Sequence, residues 1–200
     1  YGDDVISRII RAGEPGGLEQ LRRAVVGELN VLVGRLAHTH DVRGDEIVTA
    51  VIAGNTTMVH LFLGLPPDEI RRAPYVPVAT LPPVEHAGEL GLRIHPRATV
   101  TAMPGVASYV GGDIVADVLA AGMDTTGELA MLIDAGTNGE TVIGNRDFLI
   151  CCACSAGPAF EGGGISSGMR AARGAIQRVE VTKDGALACA TIGGTLPRGI

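Results

Sequence analysis

The sequence predicts an α/β protein of two linked lobes, and two observations support this fold class. Segments with helical periodicity alternate with β-branched apolar runs in the first half of the 200 residues, whereas apolar runs follow one another directly in the second half. A helix-rich α/β unit that leads into a β-meander is typical of two lobes on one chain. We place the boundary near residue 97, so that residues 1–97 belong to the first lobe and residues 98–200 begin the second.

The first lobe is predicted to contain two helices, a buried strand and a third helix. Apolar residues recur with helical spacing over residues 3–12 and 18–38, which the motif Glu-Pro-Gly-Gly separates. Residues 46–54 form a β-branched apolar run that ends in glycine, which indicates a buried strand, and residues 55–65 return to helical spacing. Residues 66–97 hold seven of the eleven prolines, so we expect an irregular connection over the surface.

The second lobe is predicted to begin with one strand and one helix, followed by a three-stranded meander. The strand and helix lie at 98–105 and 108–123, and the meander at 128–136, 140–145 and 146–155. A glycine-rich segment, a short helix and a β-hairpin complete the lobe. These elements lie at 157–164, at 165–174 and on both sides of a turn at 183–185.

Composition argues against several classes of function. Aromatic residues make up 3% of the chain and tryptophan is absent, so we do not expect nucleic-acid recognition by stacked aromatic rings. A net charge of −6 provides no basic surface for a phosphate backbone or an anionic membrane. Lys183 is the only lysine, which excludes a P-loop, and no apolar run approaches the ~18 residues of a membrane span.

The four cysteines, Cys151, Cys152, Cys154 and Cys189, match no zinc-finger, redox or disulfide spacing. Successive residues of a strand face opposite sides, so Cys152 and Cys154 would point away from Cys151, and three ligands could not converge. We therefore expect buried, inert thiols that bind no metal, in the reducing cytoplasm.

The strongest candidate site follows the apolar strand at 128–136, where the chain reads Asp-Ala-Gly-Thr-Asn-Gly. Asp134 could hold a hydrated Mg²⁺ at the strand end. Gly136 and Gly139 would let backbone N–H groups approach phosphate oxygens, and Thr137 and Asn138 would add side-chain donors. The alternative is a simple β-hairpin in which Asn138-Gly139 is the favoured two-residue turn.

Two further turns could contribute to the same site. In the first lobe a strand meets a helix at Gly54, Asn55 and Thr56, and the exposed N–H groups of a helix start favour an anion. Ordinary helix capping is the alternative there. In the second lobe, a glycine run could wrap a ribose or phosphate, or could be only a flexible loop. This run comprises Gly162, Gly163 and Gly164.

Several long motifs occur in order along the chain. They are YGDDVISRI at 1–9, AGNTTMVHLFLGLPP at 53–67, PGVASYVGGDIVADVLAAGM at 104–123, LIDAGTNGETVIGN at 132–145 and CSAGPAFEGGGISSGMRA at 154–171. Together these motifs resemble those of the reductive activators of corrinoid proteins, a family of ATP-dependent enzymes. The resemblance implies part of the two-lobed, ribonuclease-H-like ATPase fold of the sugar kinase, Hsp70 and actin superfamily. The two lobes of that fold clamp a nucleotide.

The resemblance also assigns roles to the three turns. LIDAGTNGE is similar to the second phosphate motif, which makes Asp134 the expected catalytic residue and the Mg²⁺ ligand through water. AGNTTM is similar to the turn that faces this motif from the first lobe, and GPAFEGGGI is similar to the glycine loop near the nucleotide. The first phosphate hairpin and a ferredoxin-like [2Fe-2S] domain are expected before Tyr1, and the adenosine motif after Ile200.

By resemblance, the function is to couple ATP hydrolysis to reduction of a protein-bound corrinoid from Co(II) to Co(I). The implied partners are a corrinoid protein and a nucleotide, and a homodimer is compatible with the resemblance. Two other classes stay open, a nucleotide-gated assembly protein and a small-molecule kinase of the same superfamily. A kinase needs a carboxylate base beside an acceptor pocket, and Asp134 and Glu140 are the carboxylates available.

Overall fold

The fold is given by a computed structural model that describes residues 4–136, 138–155 and 165–200. Two compact units separate within the chain. One consists of Tyr1–Leu132 and Thr141–Cys152, and the other of Ile133–Glu140 and Ala153–Ile200.

The first two helices confirm the helical spacing in the sequence. Helix α1 spans Val5–Ala12 and helix α2 spans Gly17–Thr39. Asp4 caps α1, because its carboxylate accepts a hydrogen bond from the Ser7 N–H at 2.7 Å while the Ser7 hydroxyl accepts one from the Asp4 N–H at 3.2 Å. This reciprocal pair satisfies two donors that would otherwise have no intrahelical partner.

A three-stranded sheet lies beside these helices in the first unit, in the order β1-β3-β2. Strands β1 (Thr49–Ile52) and β3 (Thr99–Ala102) are parallel, and β2 (Glu85–His86) is antiparallel to β3. Strand β3 follows the boundary expected at residue 97 and pairs with β1, which precedes that boundary. Two helices connect these strands, α3 (Thr56–Leu63) and α4 (Ala87–Leu90).

Two expectations about burial in this unit are wrong. The predicted buried strand at 46–54 has one open face, because Val51 is 64% exposed while Ala50 and Ile52 pack against the core. The segment at 66–97 does not only cross the surface. It forms α4 and places Ile70, Leu90 and other apolar residues inside the protein, since its prolines punctuate the chain without removing its apolar side chains.

The core of this unit is mainly aliphatic, as the low aromatic content predicts. Its buried members are Val26, Phe62, Ala87, Leu90, Leu92, Ile94, Ala98 and Val100. The core therefore joins α2, α3, α4 and β3 into one packed layer over the sheet.

The predicted meander is confirmed as a second sheet in the order β4-β5-β6. Its strands are Ala130–Ala135, Asn138–Asn145 and Phe148–Ser155. Helix α5 spans Gly112–Ala120, which is shorter than the predicted 108–123, and its Ile114 and Val118 pack in one cluster with Val142.

The last part of the chain is a β-hairpin in the second unit. Strands β7 (Ile176–Val181) and β8 (Leu187–Thr191) are antiparallel, and the predicted turn at 183–185 connects them. The helix expected at 165–174 is wrong. The backbone there pairs with the end of the chain instead, with Met169 N–H donating to Ile200 O at 2.8 Å and Ile200 N–H to Ser167 O at 3.0 Å.

No helix in the described ranges is long and apolar enough to cross a membrane.

Candidate functional site

Asp134 lies near the end of β4, and its side chain is half-buried. The chain then reverses sharply, because the Gly136 N–H donates to the Asn138 carbonyl oxygen at 2.9 Å. Strand β5 already begins at Asn138, so the tip of this hairpin precedes the Asn138-Gly139 pair that the alternative interpretation placed there. Thr137 lies outside the described residues.

The two glycines of this turn differ in their surroundings. Among the described residues, a Cβ added to Gly136 would meet only the Asn138 carbonyl oxygen, at 3.6 Å, and Gly136 itself is exposed. A Cβ on Gly139 would lie 3.4 Å from Cys154 Sγ, and the Cys154 thiol donates to the Gly139 carbonyl oxygen at 3.1 Å. The turn therefore combines a carboxylate at a strand end with accessible backbone, which fits a hydrated cation and a phosphate.

The turn at Gly54, Asn55 and Thr56 uses its polar groups to hold the fold together. Asn55 Oδ1 accepts a hydrogen bond from the Met58 N–H at 2.9 Å and caps α3. The Thr56 hydroxyl donates to the Ala107 carbonyl oxygen at 2.8 Å, and the Asp113 N–H donates to the Gly54 carbonyl oxygen at 3.2 Å. The capping interpretation therefore describes what these side chains do in the structure.

Two glycines that sequence reasoning missed bring α5 against this turn. A Cβ on Gly111 would lie 2.6 Å from the Thr56 backbone nitrogen, and one on Gly112 would lie 2.6 Å from the Met103 carbonyl oxygen. Real Cβ atoms do not approach backbone this closely, so both positions require glycine for packing. The two consecutive glycines near the start of the helix predicted at 108–123 were the available sign of this close packing.

His60 is a third residue that sequence reasoning missed. It is 0% exposed, it lies on α3, and it lines a cavity of about 10 Å³ together with Thr56 and Thr80. Burial lowers the pKa of His60, and its hydrogen bond to the Thr56 carbonyl oxygen partly offsets this effect. The cavity has room for about one water molecule and none for a nucleotide.

The cysteines are placed differently from the expectation of buried thiols. All four are free, and only Cys151 packs against the core, whereas Cys152, Cys154 and Cys189 are exposed. The expectation is wrong for these three because one side of β6 and most of the β7–β8 hairpin face solvent. Within the described part of the chain, no group of three His, Cys, Asp or Glu side chains could hold a metal ion.

The structure brings Asp134, Gly136, Asn138 and Gly139 into one hairpin, and the residues at 54–56 into one turn. The glycine run at 162–164 lies outside the described residues. That the two turns face one cleft stays a prediction.

Comparison with known proteins defines the class of this chain. Residues 128–200, which include the meander and the Asp134 turn, match the family model described as the C-terminal domain of RACo, the ASKHA domain. This confirms the expected α/β ATPase fold class. Residues 1–126 match the model of the RACo middle region, and the chain belongs to the RACo family.

Individual relatives agree with this family. The chain is 36% identical over 200 residues to the corrinoid activation enzyme RamQ of Eubacterium limosum. This alignment covers all of this chain and 33% of RamQ. It is 40% identical over 73 residues to the [Co(II) methylated amine-specific corrinoid protein] reductase of Methanosarcina barkeri, or 36% of this chain and 14% of the relative.

A solved structure, that of a reductive activator for corrinoid,iron-sulfur protein, superposes on this chain with a TM-score of 0.81 at 51% sequence identity. The match covers 100% of this chain and 32% of the solved one. The resemblance found in the sequence is therefore confirmed. The chain spans about a third of the length of RamQ and of the solved relative.

Proposed function

We propose that this chain is part of an ATP-dependent reductive activator of corrinoid proteins. The whole protein would couple ATP binding and hydrolysis to reduction of a corrinoid partner from Co(II) to Co(I). The supporting observation is the match of the entire chain, at 51% identity, to a solved reductive activator. RamQ, which also matches over the entire chain, is a corrinoid activation enzyme.

The proposed coupling has a thermodynamic reason. Each deficit of about 59 mV in a one-electron transfer disfavours the product tenfold, so reduction to Co(I) by a weaker reductant needs an energy input. Binding and hydrolysis of ATP would supply that free energy. The electron would come from a [2Fe-2S] domain outside these 200 residues.

Within this chain, we assign the Mg²⁺-water contact to Asp134, because its carboxylate is half-buried at a strand end beside the open backbone of Gly136. We assign phosphate contacts to Gly136, Thr137, Asn138 and Gly139, and contacts nearer the sugar to the glycine run at 162–164. Residues 54–56 would act through the backbone and the position of α3, since their side chains are already hydrogen-bonded.

The partner and compartment follow from the same proposal. A corrinoid protein is the macromolecular partner, and four free thiols support a reducing compartment, which we take to be the cytoplasm. The open alternatives of an assembly protein and a small-molecule kinase gain no support from the names of the matching relatives.

The test uses the full-length protein with paired assays of ATP turnover and of Co(II)-to-Co(I) reduction. Asp134→Asn keeps the size of the side chain and removes the charge, so kcat for ATP should fall about 10²-fold or more, by analogy with other lost electrostatic contacts, and corrinoid reduction should fall with it. Asp147→Asn is the matched control, because Asp147 is an exposed carboxyl in the turn that connects β5 and β6.

Circular dichroism establishes that both variants fold. Normal ATP turnover in Asp134→Asn would remove this residue from the site. Lost turnover with intact corrinoid reduction would instead break the proposed coupling.

A further inference from the structure

His60 connects two segments that are far apart in sequence, and both of its ring nitrogens are hydrogen-bonded. Nδ1 lies 2.7 Å from the Thr56 carbonyl oxygen, and Nε2 lies 3.4 Å from the Ala79 backbone nitrogen. A carbonyl oxygen can only accept and a backbone N–H can only donate, so Nδ1 carries the proton and Nε2 is the acceptor. This geometry requires a neutral imidazole with one defined tautomer.

Ala79 belongs to an irregular segment, residues 75–82, that forms neither helix nor strand; we call it the strap. Most of its side chains are exposed, including Val76, Val78 and Leu81, whereas Pro82 is buried and the Tyr75 ring packs against Tyr109. Hydrogen bonds hold the segment in place together with these few contacts. In a segment with so few buried contacts, each hydrogen bond contributes a large share of the local stability.

Between residues that the structure describes, three hydrogen bonds attach the strap to the elements beneath it. The Ala79 N–H donates to His60 Nε2, the Gly105 N–H donates to the Thr80 carbonyl oxygen at 2.7 Å, and the Ser108 hydroxyl donates to the Tyr75 carbonyl oxygen at 2.6 Å. Of the three, only the bond to His60 has a partner that changes its protonation state near neutral pH. The small cavity lies between this segment and the first turn of α3.

Protonation of His60 would place two donors against each other. The Nε2–H would face the Ala79 N–H, and the positive charge would sit on a ring that is 0% exposed. On the elements around His60, Tyr75 of the strap packs its ring against Tyr109, and Asp113 of α5 accepts a hydrogen bond at Oδ1 from the Ile114 N–H. Arg8 of α1 donates a hydrogen bond to Met58 Sδ at 3.2 Å. Burial is the main cause of the lowered pKa of His60.

We propose that His60 is a positioning residue: as a neutral imidazole it holds the strap against the first turn of α3, and acidification releases the strap. We call the contact between His60 and the strap the lock. The hydrogen bond from His60 Nδ1 to the Thr56 carbonyl oxygen connects the lock to the turn at 54–56, so strap release would also loosen that turn. The step from the lock to nucleotide affinity rests on the proposed function, and the lock itself does not.

The test measures amide hydrogen exchange of residues 75–82 in the full-length protein, corrected for the intrinsic pH dependence of exchange. An open strap exposes a ring with the ordinary pKa of 6.5, whereas burial lowers the pKa of His60 in the closed state. Protection should therefore fall between pH 7.5 and pH 5.5, by up to about tenfold. His60→Gln keeps an acceptor but cannot be protonated, so it should abolish this response.

Two variants complete the design. His60→Leu removes the acceptor and should leave the strap poorly protected at both pH values. His86→Gln replaces an exposed histidine on β2 and should retain the wild-type response. A tenfold response that persists in His60→Gln would overturn the proposal, as would a wild-type strap whose protection does not change with pH.

ATP affinity, measured by calorimetry on the same proteins, tests the connection to the site. Wild-type affinity should weaken on acidification in parallel with strap opening, and His60→Gln should reduce that change. Strap opening without any change in affinity would overturn the connection to the turn at 54–56. If no variant binds ATP at any pH while the strap still responds, the proposed function fails and the lock stands.

Discussion

Gly111 is the position at which a single methyl group should most clearly disturb the candidate site. An added Cβ would lie 2.6 Å from the Thr56 nitrogen and 2.7 Å from the Asn55 Cα. Both contacts are backbone atoms of the turn that caps α3, so no flexible side chain can move aside. The backbone of α5 or of the turn must shift instead.

Overpacking of this kind destabilises a protein by about 1–3 kcal/mol, and we expect Gly111→Ala to fall in the upper part of that range. Gly27→Ala is the matched control, since Gly27 lies in the interior of α2 and an added Cβ would meet nothing within 4 Å. There alanine should stabilise the helix by about 0.8–1 kcal/mol because it restricts the unfolded chain. The same glycine-to-alanine substitution should therefore lower the stability of the protein at position 111 and raise it at position 27.

The assay is amide exchange of the α3 and α5 peptides in the full-length protein, together with thermal unfolding. A loss of about 2 kcal/mol corresponds to roughly 30-fold faster exchange through local opening. Gly27→Ala should leave those peptides unchanged. Equal stability of the two variants would refute the argument that Gly111 is required by close packing.

Three further predictions concern stability. Asn55→Ala removes the cap of α3 and should cost about 1 kcal/mol, measured as a lower urea midpoint, whereas an unchanged midpoint would deny the cap any energetic role. Val142→Ala should cost about 2 kcal/mol because Val142 is 2% exposed, while Val51→Ala, at a 64% exposed position, should remain within about 0.5 kcal/mol of wild type. Because the pKa of His60 is lowered in the folded state, its contribution should be complete above the unfolded pKa of 6.5 and should be lost as pH falls through the folded pKa. Thermal unfolding at several pH values should show this decline, and His60→Gln should flatten it.

Local pattern was sufficient for most helices and strands. The apolar spacing of α1 and α2, the meander of β4, β5 and β6, and the turn between β7 and β8 all follow from neighbouring residues. The motifs were also sufficient for the family, because long ordered runs such as LIDAGTNGETVIGN leave few alternatives. Candidate residues in the Asp134 turn could be named for the same reason.

Burial could not be predicted in the same way. Val51 belongs to an apolar run that is typical of a buried strand, yet only one face of β1 is covered. The predicted helix at 165–174 failed because residues 167 and 169 pair with Ile200, about thirty positions later in the chain. The exposed cysteines have the same cause, since packing of neighbouring elements decides which side of a strand is covered.

The sequence by itself determined the order of most elements, the fold class and the family, because these depend on the spacing of residues along the chain. Only the tertiary structure decided which polar groups were already committed to the fold. The sequence left anion binding and helix capping open for Asn55 and Thr56, and the bond from the Thr56 hydroxyl to the Ala107 carbonyl oxygen joins residues 51 positions apart. The Asn55 cap, by contrast, is a local bond to Met58 that the sequence had offered as the alternative. No motif in the sequence marked His60 as a candidate residue. Its role depends on folding, which brings the strap residue Ala79 within hydrogen-bond distance of its ring.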